Sequence, residues 1–186
     1  MSTVIIVILL LIFLAGVAIY NRLIGGRNRV KTAWSDIDVQ LQRRHDLVPR
    51  LVAAVKQYAQ YEKATLEAVT VLRTEAMQTA EVRAKGKLEE KLSAGLDRII
   101  ALAENYPDLK ANENFLNLQN ELVETENYLQ FARRYYNGSV RDYNTLTETV
   151  PSNLVAGWFN FRAKEFFQKT SDEAANVPLV DLGSVE

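Results

Sequence analysis

The chain has 186 residues and a formal net charge of −1, with 22 Lys and Arg against 23 Asp and Glu. That length suits one domain plus an appendage, and balanced charge argues against a nucleic-acid partner, which is ordinarily met by a basic excess. The absence of Cys excludes disulfides, thiolate catalysis and Cys-ligated metals. Eight Gly and four Pro are too few for a turn-rich chain, so long helices are expected.

Residues 1–21, "MSTVIIVILLLIFLAGVAIYN", carry no charged side chain. A helix of about 20 apolar residues spans the hydrocarbon of a bilayer, and this segment reads as a transmembrane anchor. A cleaved signal peptide is the alternative, but it would open on basic residues and close on a small-residue cleavage site. Nothing basic precedes Val4, "AGVAIYN" imitates that site weakly, and a lipoprotein would need a Cys. Arg22, Arg27, Arg29 and Lys31 come next, before any acidic residue. Basic flanks stay on the cytoplasmic side, which predicts a single-pass protein with its N-terminus outside and its body in the cytoplasm. The same four residues are the expected membrane interface, for topology alone or, more sharply, for anionic lipid head groups. Residues 22–29 form a basic juxtamembrane joint. Gly25 and Gly26 either loosen it or are tolerated within a continuous helix.

From residue 30 to residue 150 the apolar residues recur at spacings of three and four. The first stripe is Val30, Trp34, Ile37, Leu41, Val48, Leu51, Val55 and Tyr58, continuing through Val69, Leu72 and Ala76. Such stripes mark helices packed nearly antiparallel or supercoiled. Arg44 interrupts the stripe, and Pro49 inside it predicts a kink or a short break near Asp46. A second stripe runs Leu88, Leu92, Leu96, Ile99, Ala103, after a connection without a strong breaker. The third runs Phe115, Leu118, Leu122, Leu129, Ala132, Tyr136, Val140, Tyr143, with Thr125 at a core position, and stops at Pro151. No window alternates with period two. The expected fold is all-α: an elongated antiparallel bundle of three long helices plus a short C-terminal one.

Between the second and third stripes stands "ENYPDLKANENF". Asn105 suits a left-handed helix C-cap, and Pro107 follows a helix end as Pro commonly does. Tyr106, preceding Pro, is pushed out of the helical region. Asp108 or Asn112 then caps the next helix through its side-chain oxygen. Asn105, Tyr106, Pro107 and Asp108 therefore read as an interhelix turn, and not as an active or docking site.

Residues 151–170 form an aromatic-rich segment in which Ser152 or Asn153 is placed to cap a short helix. Leu154, Trp158, Phe159, Phe161, Phe166 and Phe167 read as a lid over the end or groove of the bundle, or as a partner or membrane surface. Residues 171–186 are acidic and aperiodic, so a tail or docked extended peptide is expected.

"AWSDIDVQLQRRHDLVPRLV", "YPDLKANENF", "RRYYNGSVRDYN" and "VPSNLVAGWFNF" together resemble the LemA family of bacterial membrane-anchored helical proteins. The likeness runs from the anchor to the closing "VPLVDL". Trp158 and Leu182 depart from the family's usual residues but stay apolar. The resemblance implies an N-terminal transmembrane helix in the bacterial inner membrane, a long antiparallel helical body and no established enzymatic activity. Relatives in magnetosome membranes imply a role in membrane organisation.

The residues themselves offer little chemistry. His45 is the sole histidine, and a bundle metal site needs Glu-x-x-His on two helices, so His45 is expected on a solvated helix face. No Gly-x-x-x-x-Gly-Lys loop is present. Asp36 and Asp38 are two apart and point to different sides. Arg44 on the apolar stripe, with Asn112, Asn114, Arg133 and Arg134 flanking the third, suggests an Arg–carboxylate pair fixing helix register, or a substrate groove as the sharper alternative. Tyr128, Tyr135, Tyr136 and Tyr143 suit core packing with satisfied hydroxyls. No catalytic, cofactor or metal residue emerges. The expected function is a non-enzymatic membrane-anchored scaffold that self-associates as a homo-oligomer on the lipid bilayer. An adaptor or regulator of a membrane protein partner, using the aromatic segment, is the alternative, and an enzyme of unrecognised type the second.

Overall fold

A computed structural model describes residues 1–167; the expected tail and the end of the aromatic segment lie outside the described residues. The described chain is helical, with no strand. Helix α1 spans Ser2–Lys56, α2 Lys63–Gln78, α3 Val82–Ala103, α4 Pro107–Lys110, α5 Glu113–Glu148 and α6 Ser152–Trp158. Helix α1 is long and apolar enough to cross a membrane, and no residue of its apolar window is buried inside the protein. It continues without interruption past Gly25 and Gly26 into the body.

The expected break near Asp46 does not occur. Pro49 lies on the exposed side of α1 and removes the amide that would pair with the His45 carbonyl four residues back. Arg73 of α2 takes that carbonyl instead, donating from Nε at 2.7 Å. The missing backbone bond thus becomes a contact between helices. The interruption falls later, after Lys56, where a single 3₁₀ turn at Gln60–Glu62 separates α1 from α2. What reads as one helix from Val30 to Ala76 is therefore two.

Helices α1 and α5 run antiparallel along most of the body. Gly26 approaches Tyr143, Arg44 meets Glu126, and Arg50 meets Glu121. The short link 79–81 folds α3 back on α2, and Gly95 packs tightly against Val69: a Cβ there would lie 2.8 Å from Val69 Cγ2. Two apolar cores result. The one farther from the apolar span joins Leu51, Val55, Leu66, Val69, Leu92, Leu96, Ile99, Leu109, Phe115 and neighbours. The proximal one joins Val30, Ala33, Ile37 and Leu41 to Leu129, Tyr136, Val140, Tyr143 and Phe167. Tyr136 and Tyr143 are buried as expected, whereas Tyr128 and Tyr135 are about half exposed on the outer face of α5.

The turn at 104–115 differs in detail from its expectation. Asn105 is not left-handed; Pro107 follows the end of α3 and also opens the one-turn helix α4, where its missing amide has no helical partner to lose. Tyr106 is extended at φ −123°, Asp108 is exposed, and Leu109 beneath them is buried. Asn112, not Asp108, caps α5: its Oδ1 accepts the Phe115 amide at 3.1 Å. The left-handed asparagine stands elsewhere. Asn160, at φ 55°, ends α6, with Phe161 N–H donating to the Ala156 carbonyl and Asn160 N–H to that of Gly157, the Schellman arrangement. Neither Ser152 nor Asn153 caps α6.

Candidate functional site

Between the two apolar cores lies a single polar layer. Arg44 of α1 is wholly buried and reaches both facing helices. Its Nη1 donates to Ser93 Oγ at 2.6 Å and to Glu126 Oε2 at 2.8 Å. Its Nη2 donates to the Glu89 backbone carbonyl at 3.2 Å and to the Glu89 carboxylate. The other Glu89 oxygen lies 2.8 Å from His45 Nε2. Arg133 of α5 approaches the second Glu126 oxygen at 3.7 Å and stands over the Phe167 ring at 5.4 Å. One guanidinium thus ties α1 to α3 and α5 together.

His45 is not on a solvated face; it is 3 % exposed. Residues 41, 44, 45 and 48 all fall on the inward side of α1, since steps of three and four share a face. The expected Arg–carboxylate pairing is present, with Glu89 and Glu126 as partners. The buried Glu89 is not among the residues selected from the sequence, where it stands within a run of charges, "KLEEKL". Its place was legible, however: it lies three residues before Leu92 and seven before Leu96, on the same stripe.

Electrostatics favour the ionised form of Glu89. Burial pushes the Glu89 carboxyl up, but the hydrogen bond from His45, the charges of Arg44 and His45, and the hydrogen bond from Arg44 outweigh it and hold the group below its ordinary value. Burial pulls Arg133 down, aided by Arg44 and opposed by Glu126. Both Glu89 oxygens are occupied by bundle side chains, which suits a lock between helices and not a free base. Of the described cavities, one of about 650 Å³ is lined by Val52, Ala59, Leu66, Glu67, Thr70 and neighbours, and carries none of these residues. Among the described residues, no three His, Asp or Glu converge as metal ligands.

The basic and aromatic residues selected from the sequence gather at the end of the body next to the apolar span. Arg22, Arg27, Arg29 and Lys31 are exposed on α1, just beyond the apolar run. The aromatic segment divides. Phe167 is buried against Trp34, at 5.7 Å between ring centroids. Phe161 is half-buried, with the Tyr20 ring at 5.6 Å and the Arg27 guanidinium over its ring at 5.3 Å. Leu154, Trp158, Phe159 and Phe166 are exposed. The chain from Phe161 to Phe167 is extended and held by two asparagines of α5, a device the sequence reading did not foresee. Asn144 and Asn137 each accept the amide and donate to the carbonyl of one residue, Lys164 and Phe167 respectively. Seven helical residues rise about 10.5 Å and three extended residues about 10 Å, so the two clamps are in register.

Fold and site together define a class: an all-helical protein whose first helix begins with a stretch of membrane-spanning length and whose body is tied by one buried ionic layer. The chain belongs to the LemA family, whose sequence model matches residues 33–182. It is 24% identical over 187 residues to magnetosome proteins MamQ 1 and MamQ 2 of Paramagnetospirillum magneticum, covering 87% of this chain and 68% of each relative. It is 25% identical over 167 residues to the protein LemA of Metamycoplasma hominis, covering 87% and 74%.

Proposed function

We propose that this protein is a membrane-anchored, non-enzymatic helical scaffold. The observation that carries the reading is the continuity of α1: one 55-residue helix is both the exposed apolar span and the spine of the bundle. A body mounted this way moves with its anchor and holds a fixed attitude to the bilayer. Arg22, Arg27, Arg29 and Lys31 favour a cytoplasmic body in the inner membrane. The names of the magnetosome relatives support an association with membrane structures.

Self-association is supported by the outer face of α5, where Leu116, Val123, Phe131 and Tyr135 are exposed at spacings of seven, eight and four. Such spacing aligns them as one apolar stripe, suited to a second copy. Size analysis of the full chain in mild detergent is expected to show an oligomer that Phe131→Glu reduces to a monomer. A protein that is monomeric from the start removes the self-association. A second reading, an adaptor for a membrane protein, is favoured by the exposure of Trp158 and would be seen as a co-purifying partner lost in Trp158→Ser. Orientation is read from Lys63→Cys, which provides one thiol in a Cys-free chain. Protection from impermeant reagents in intact cells supports a cytoplasmic body, and ready labelling contradicts it.

A further inference from the structure

We infer that α6 is a second membrane element, an interfacial helix lying on the bilayer surface beside the anchor, with Leu154, Trp158 and Phe159 seated among lipid head groups and upper acyl chains. This rests on the anchoring proposed above. Three observations place the lipid surface there. The uncharged run of α1 ends at Asn21, with the first charge at Arg22. Some 20 residues rise about 30 Å, the thickness of the hydrocarbon core, so Tyr20 stands at the head-group level. Tyr20 touches the α6 segment directly, its ring 4.7 Å from Phe159 and 5.6 Å from Phe161.

Helix α6 packs against both α1 and α5 and buries Ala156. It leaves Leu154 71% and Trp158 87% exposed, and these two, four apart, share one face. Phe159, next to Trp158 in the chain and itself exposed, meets Tyr20 of the anchor helix. Tyr and Trp are the residues that collect at membrane interfaces. Arg27 over Phe161 and the exposed Arg22, Arg29, Lys31 and Arg162 give this end the cations that anionic head groups attract. Beyond Phe161 the Asn144 clamp holds Lys164 against α5.

The test uses the full chain in phosphatidylcholine–phosphatidylglycerol vesicles. Trp158 is read as the fluorescence difference between the unaltered protein and Trp158→Phe, so that Trp34 cancels. Interfacial helices sit about 5–10 Å into the head-group boundary, so lipids brominated near the carbonyl end should quench the difference signal about twofold more than lipids brominated near the methyl end. A water-like, unquenched difference signal overturns the inference. So does protection that appears only as the protein-to-lipid ratio rises, which assigns the surface to a second copy. Phe13→Trp in the Trp158→Phe background reports the anchor separately. If its indole is quenched by deep bromines while Trp158 stays water-like, the interfacial helix alone is refuted. If neither is quenched, the anchoring falls and takes the inference with it.

Discussion

The His45 carbonyl accepts its hydrogen bond from Arg73 Nε, at 2.7 Å, because Pro49 supplies no amide to it. A proline that would break an isolated helix here provides the docking point for α2. Arg73→Met is expected to destabilise the protein by about 1–3 kcal/mol, since it strands a carbonyl. In a Pro49→Ala background the new amide can take that carbonyl, and the same substitution should cost about 1 kcal/mol less. Urea unfolding of the four proteins measures the coupling; equal costs in both backgrounds would refute it.

The polar layer should behave as a buried ion pair behaves. Arg44→Ala or Glu89→Ala leaves an uncompensated charge and is expected to cost about 3–5 kcal/mol. Replacing both, as Arg44→Met with Glu89→Leu, should cost less than either single change, because no buried charge is left over between them. Denaturant midpoints decide the matter. A double variant as unstable as the sum of the singles would mean that the layer is not a unit.

Acid should weaken the same layer. The Glu89 pKa is lowered in the folded protein from an ordinary value of 4.5. Its contribution is therefore complete above about pH 4.5 and is lost as pH falls from there through the lower folded value. The stability gap between the unaltered protein and Glu89→Gln should narrow as pH falls through that window. A gap that widens in acid would reverse the sign of the assignment.

The asparagine clamps make a local prediction. Asn144→Leu removes both bonds to Lys164, 2.8 and 2.9 Å long, each contributing about 0.5–1.5 kcal/mol. Amide exchange at Lys164 should accelerate by roughly tenfold or more, while exchange in the distal core around Ile99 stays unchanged. Uniform acceleration across both regions would show that the clamp supports the whole bundle.

Much of the architecture was legible from period alone. Val30, Ile37, Leu41, Leu92, Leu96, Leu122 and Leu129 are core residues because a helix carries one face inward every three or four positions. The break after Lys56 was not legible, since no Gly or Pro marks it. Nor was the continuity through Pro49, because the compensating donor is 24 residues away. His45 was misplaced for a related reason: a polar residue at the edge of a stripe reads as solvated until its partner, here Glu89, is seen.

Amino-acid order by itself determined that this chain is helical, that its first twenty or so residues suit hydrocarbon, and which faces of the later helices turn inward. These are local matters of solvation and 3.6-residue repeat, decided within a few turns. Only the tertiary structure decided that Arg44, His45 and Glu89 meet, that Asn137 and Asn144 grip the non-helical segment after α6, and that α6 comes to rest beside Tyr20. Each of those joins groups at least 20 residues apart, and a periodic pattern carries no information about which distant polar group will complete a hydrogen bond.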